Sequence, residues 1–274
     1  MDDAHAAARL SRRALNAEVA KLDAELRAAG SQERAEQERR YLKSELVHYG
    51  ASVPAIRRVT LAFLDKRREA TGGEPTPAEL RALAEALWDV GVFDLRFAAA
   101  ELLTACAGSL DVPDLSWLEL LLRRSHTWAL VDGLAVDVVG NVLARRPRAA
   151  PAILKRWGRD SDFWIRRSAL LSLLRRLRAG DAAAFERFTA LADPMLEDRE
   201  FFIRKAIGWS LREYARREPQ AVYDWLRPRA GRASGLTLRE ASKPLPRERR
   251  DALLAAHKGD PPGGKGASSR RKGA

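Results

Sequence analysis

Apolar residues recur at helical spacing along most of the chain. Leu10, Leu15, Val19, Leu22 and Leu26 share one face before Gly30 and Ser31 break the run, which predicts an amphipathic first helix. A second begins near Gln32 and carries Tyr41, Leu42, Leu46 and Val47 toward Gly50. Ser52-Val53-Pro54 then opens a third through Ile56, Val59, Leu61 and Leu64. Gly72-Gly73-Glu74-Pro75 reads as a loop. Thr76-Pro77-Ala78-Glu79 then supplies a cap, a proline at the first helical position and an acid in the first turn. No stretch shows sustained strand alternation or an Asn-Gly hairpin signal. The expected class is all-α.

Beyond this point the pattern repeats. Four helices superpose on Leu95, Leu130, Ile165 and Ile203, at steps of 35, 35 and 38 residues. Each step has room for two helices and a short link, as between Leu115–Arg124 and the helix that follows it. That period predicts a HEAT-like helical-repeat solenoid, an α-α superhelix. One domain is expected over residues 1–246, closing near Lys243-Pro244-Leu245-Pro246, with residues 247–274 forming a basic, largely disordered tail. Residues 259–274 are Gly, Pro, Ser, Lys and Arg in the main and cannot bury a core.

Equivalent positions in successive repeats project onto the same surface, and Asp132, Arg167 and Lys205 share one such position. Two helices carry candidate chemistry. In Ser125–Val139 the apolar run Leu130, Val131, Leu134, Val138 and Val142 centres at about 80° from Leu130, with Trp128 and Asp132 at about 160° and 200°. An aromatic and a carboxylate four residues apart therefore flank the core stripe on one helix face. In the last repeat Ile203, Ile207, Leu211 and Tyr214 cluster on one side, and Lys205, Trp209, Arg212 and Arg216 on the other. Trp209 thus sits on a cationic face suited to gripping a phosphate backbone.

The 274 residues carry a formal net charge of +12. Residues 258–274 hold five cations against Asp260 and leave +8 for the rest. Arginine outnumbers lysine, which favours planar contacts to phosphate, and nucleic acid is the expected partner. Cys106 is the single cysteine, so a buried structural thiol in a reducing, cytoplasmic setting is expected, nucleoid-associated when DNA is bound. No apolar run has the length of a membrane span, and no export signal precedes the first helix. His5, His48, His126 and His257 are scattered, and neither zinc-helix spacing nor a Gly-x-Ser-x-Gly or dinucleotide fingerprint occurs. No metal and no cofactor is expected. His126 is assigned first to capping its helix and second to donating to a phosphate.

Several motifs together resemble bacterial DNA alkylation repair glycosylases of the AlkD type, which are built from HEAT-like helical pairs. The resemblance runs from about Tyr41 to Leu245. It is carried by Trp88-Asp89, Phe93-Asp94-Leu95-Arg96, Thr127-Trp128-Ala129-Leu130-Val131-Asp132, Asp162-Phe163-Trp164-Ile165-Arg166-Arg167, Phe201 through Tyr214, and Leu238-Arg239-Glu240-Ala241-Ser242-Lys243-Pro244-Leu245. The last two are the more specific. The resemblance implies Asp132 as the catalytic carboxylate, Trp128 and Trp209 as cleft tryptophans, and Arg167 and Arg212 as backbone-holding arginines. Lys205, Arg216 and His126 complete the DNA-binding set. Family members often carry a second acid just after the first Trp of the motif; here that residue is Ala129.

The implied partner is double-stranded DNA containing alkylated bases, met by a monomer. The implied reaction is hydrolysis of the N-glycosidic bond of a cationic N3- or N7-alkylated purine, in base excision repair and without base flipping. Such a base leaves neutral without protonation, and a carboxylate near C1′ stabilises the developing sugar cation and orients water. Two other classes stay open: a catalytically silent DNA-binding solenoid for damaged or branched DNA, and a HEAT-type protein–protein scaffold. An acid facing DNA is useless to a pure binder, and a basic face bearing Trp209 is unsuited to a general scaffold.

Overall fold

The computed structural model describes residues 2–257. They form sixteen α-helices, short 3-10 turns and no strand among the described residues. The chain divides into two compact units, Met1–Ser172 and Leu173–Ala274, where one domain was expected.

The first unit holds α1 (Asp2–Ala28), α2 (Gln32–Leu42), α3 (Val53–Thr71), α4 (Pro77–Asp89), α5 (Phe93–Ala105), α6 (Leu115–Arg123), α7 (Trp128–Gly133), α8 (Gly140–Arg145), α9 (Ala150–Trp157) and α10 (Phe163–Leu171). Helices pair both with the next in sequence and with those one repeat on: α4 packs on α5, α5 on α7, and α10 on α6, α7 and α9. The second unit holds α11 (Leu174–Arg178), α12 (Ala182–Ala192), α13 (Phe201–Ala215), α14 (Pro219–Leu226), α15 (Gly235–Ala241) and α16 (Arg247–His257). Its centre is α13, packed on α11, α14 and α15.

The 35-residue period is visible as ion pairs between successive repeats. Asp89 pairs with Arg124, Asp111 with Arg146 and Asp132 with Arg167 in the first unit, each 35 residues apart. Arg178–Glu213, Glu197–Arg232 and Lys205–Glu240 do the same in the second. Residues at one position of adjacent repeats are neighbours across the stack, so opposite charges placed there meet.

Local expectations hold where short-range chemistry decides. Thr76 and Glu79 form a reciprocal capping box at the start of α4. The Thr76 amide, the Thr76 hydroxyl and then Arg67 hold the Glu79 carboxyl down at a pKa of about 2. Cys106 is a buried free thiol, and burial pushes its pKa up.

Three expectations fail. First, α2 stops at Leu42 because Lys43 adopts φ 49°, ψ 42°, so Leu46 and Val47 leave the helix. Their segment instead bridges to the strand-like link before α5: Val47 N–H donates to Gly91 O (3.2 Å) and Phe93 N–H to Val47 O (2.8 Å). The buried Asp94 carboxylate accepts the Tyr49 and Ala51 amides at 2.8 and 2.9 Å. These bonds satisfy backbone that no longer has helical partners.

Second, the apolar helix begins at Trp128 and not at Ser125, because His126 lies in the left-handed region at φ 53°. Its middle, Leu134–Val139, is a π turn. Gly140 then permits close packing, since a Cβ there would lie 2.6 Å from Ser172 O.

Third, residues 247–257 of the expected tail are helical. Leu253 of α16 is fully buried, α16 packs on α14 and α15, and His257 Nδ1 lies 3.1 Å from Ala230 O. One apolar residue on a short charged helix is a weak sequence signal, and docking on two neighbours supplies the rest. Residues 258–274, the remainder of the expected tail, lie outside the described residues. No helix among the described residues is long and apolar enough to cross a membrane.

Candidate nucleic-acid site

In the first unit, α7 presents Trp128 and, one turn later, Asp132. Leu130, Val131, Leu134, Val138 and Val142 are all buried, and Trp128 and Asp132 are half-buried at the edge of that stripe, as the helical angles predict. Asp132 is clamped by Arg167 of α10: Nε donates to Oδ1 and Nη2 to Oδ2, both at 2.8 Å. The Arg167 side chain is 4% exposed and that of Asp132 15%. Burial raises the Asp132 pKa, and Arg167 pulls against it without cancelling it. A planar bidentate contact fixes the carboxylate's orientation while leaving each oxygen a further lone pair.

Where the resemblance implied a hold on a DNA phosphate, the Arg167 fork is buried and turned onto Asp132. His126 also departs from expectation. Helix α7 has no side-chain cap bond, and His126 stands exposed in a left-handed conformation just ahead of Thr127 and Trp128. A non-glycine residue in that region is strained backbone, of the kind that gathers at functional sites.

Tyr41 joins this group unanticipated. The hydrophobic pattern placed it in a helix core, yet α2 buries no residue and Tyr41 is 74% exposed. Its ring meets Trp128 edge-on, with centroids 6.0 Å apart and planes at 87°. A cavity of about 560 Å³ beside this pair is lined by Tyr41, Phe97, Trp128, Ala129, Gly133 and Asp137, among others. Asp132 is not among the residues that line it.

In the second unit, α13 carries the other candidates. Trp209 is half-buried, and the Arg178 guanidinium lies 5.7 Å from its ring centroid. Lys205 and Arg212 both bond Glu240 of α15, and Arg216 is largely exposed, 3.8 Å from Glu213. Trp209 is thus off the Ile203, Ile207, Leu211 core face, as expected. Trp128, Asp132 and Arg167 come together in one unit, and Lys205 and Arg212 in the other.

The profile of a family described as DNA alkylation repair enzyme matches residues 22–245. The chain belongs to that family. Among solved structures, a "Predicted DNA alkylation repair enzyme from Enterococcus faecalis" is similar with a TM-score of 0.69 at 23% identity, covering 80% of this chain and 97% of that one. The crystal structure of smu.31 from Streptococcus mutans UA159 is similar with a TM-score of 0.52 at 18% identity, covering 69% and 96%. At such identities the likeness is one of fold. No curated protein matches the sequence. Membership of the family puts the chain in DNA repair as an enzyme, with DNA as substrate.

Within that family frame the site's chemistry can be stated from its atoms. Asp132 offers a fixed, charge-balanced carboxylate and Trp128 and Tyr41 offer aromatic surfaces. Lys205 and Arg212 offer partly covered cationic groups, and Arg216 an exposed one, on a separate unit. No described residue among the predicted set forms a nucleophile–base pair, and the carboxylate is the one acidic group of the set.

Proposed function

We propose that this chain hydrolyses the N-glycosidic bond of cationic N3- or N7-alkylated purines in double-stranded DNA. The observation that carries the reading is Asp132, a carboxylate held in one orientation by Arg167 and placed one turn from Trp128 in a strongly basic chain. The cationic base is already a good leaving group, so the barrier lies in the positive charge that builds on the deoxyribose. A preorganised carboxylate lowers that barrier electrostatically, and it aligns the attacking water. An aromatic face adds cation–π attraction of roughly 0.5–2 kcal/mol. Trp128 and Trp209 are assigned to that role. Lys205, Arg212, Arg216 and His126 are assigned to the phosphates, and Arg167 to holding Asp132.

A second reading is favoured by one observation: Arg167 neutralises Asp132, as it would in a purely structural pair. A silent DNA-binding protein could keep that pair to join α7 and α10. Incubation with a methylated duplex separates the two. The proposed enzyme frees the methylated base and leaves an abasic site, whereas tight binding without any free base assigns the chain to the binders.

A further inference from the structure

Three cations end on one buried carboxylate in the second unit. Glu240 of α15 accepts Lys205 Nζ at 2.8 Å, Lys243 Nζ at 3.0 Å on both oxygens, and Arg212 Nη1. Burial alone would raise the Glu240 pKa, but Lys205, Lys243 and Arg212 outweigh it and hold the carboxyl below its ordinary value. The approach of the two helices is made by Gly208 of α13. A Cβ there would stand 2.7 Å from Glu240 Cβ and 3.0 Å from Thr237 O, so a larger residue would push Glu240 away from Lys205 and Arg212.

The cluster opens to water. Lys205 and Lys243 are 41% and 56% exposed, while Glu240 is 9% exposed beneath them. Arg212 also lies 3.7 Å from Glu213, so the three cations meet two carboxylates and still leave a positive excess. Each lysine has three N–H donors and the arginine five, more than the two oxygens of Glu240 can take. Because all three groups reach the same carboxylate, their nitrogens are close enough together to address one anion. They are unsuited to serving as separate anchors along a surface.

We propose that Lys205, Arg212 and Lys243 form one seat for a single backbone phosphate of DNA, with Glu240 as the positioning residue that gathers them. The proposal rests on the DNA reading above. It adds Lys243 to the contacting residues and makes the three cations one unit. Glu240 reduces the repulsion among like charges that would otherwise splay them, and the phosphate takes the donors Glu240 leaves over.

The test is the salt dependence of affinity for an undamaged duplex, measured for the wild type, Lys205→Ala, Lys243→Ala and the double variant, with circular dichroism to check folding. One phosphate is worth a slope of about 0.9 in log affinity against log salt. The seat predicts that Lys243→Ala lowers the slope, and that the double variant loses no more than about 0.9 in total. In a Glu240→Gln background, where the tether is gone, the same two substitutions should become additive. An unchanged slope in Lys243→Ala, or a double variant that loses about 1.8, overturns the seat while leaving DNA binding intact. A wild type that binds no duplex overturns the DNA reading and the seat together.

Discussion

Asn at position 132 is expected to cut excision of a methylated purine by on the order of 10²–10³, if the carboxylate supplies about 2.7–4 kcal/mol to the transition state. The amide keeps the shape of the side chain and removes the charge that stabilises a cationic sugar. Affinity for DNA should not fall with it. Deleting a negative charge near phosphates leaves binding equal or slightly tighter. Single-turnover excision and duplex affinity, measured on the same preparation, check both halves. Wild-type excision by Asp132→Asn would remove Asp132 from the reaction. Some loss of fold stability is expected in the variant, because one Arg167 donor then faces an amide NH₂ and not a carboxylate oxygen.

Replacing Arg167 by Met should have the second large effect, on stability and on pH dependence together. Removing one partner of a buried ion pair leaves the other charge uncompensated and costs about 3–5 kcal/mol, readable by chemical denaturation at neutral pH. Burial already raises the Asp132 pKa in the wild type, and Arg167 is the group that lowers it. Without Arg167 the pKa rises further, so the charged carboxylate forms only at higher pH. The acid limb of the pH–rate profile should therefore move to higher pH in Arg167→Met. The salt slope of DNA binding should stay as in the wild type, since the guanidinium is buried against Asp132. A slope lower by about one would restore Arg167 as a phosphate contact.

The fold class and the register of the repeats were legible because both rest on periodicity. The capping box at Thr76 was legible because its chemistry is complete within four residues. The edge position of Trp128 and Asp132 followed from the helical angle alone. The sequence also held an unread signal: Asp132 and Arg167 occupy one position of adjacent repeats with opposite charges, as do Lys205 and Glu240, and such residues pair. What escaped was set at long range. Tyr41 looks apolar in a helix that in fact buries nothing, and it is placed by Trp128. Leu46 and Val47 leave helix α2 because Lys43 turns left-handed and Gly91 and Phe93 offer the Val47 backbone other partners. The left-handed His126 and the π turn from Leu134 to Val139 change no residue's polarity, so no pattern of apolar positions reports them. The Glu240 cluster needs α13 and α15 side by side before Lys243 joins Lys205 and Arg212.

The central claim is that a carboxylate stabilises the sugar cation while the base leaves already charged, with no acid protonating it. It is tested most directly by single-turnover base release from two duplexes differing only in one base, N3-methyladenine in one and hypoxanthine in the other. The account predicts rapid release of the cationic methyladenine and release of the neutral hypoxanthine no faster than its spontaneous loss. Comparable release of both would show that a general acid serves the leaving base, and would contradict it.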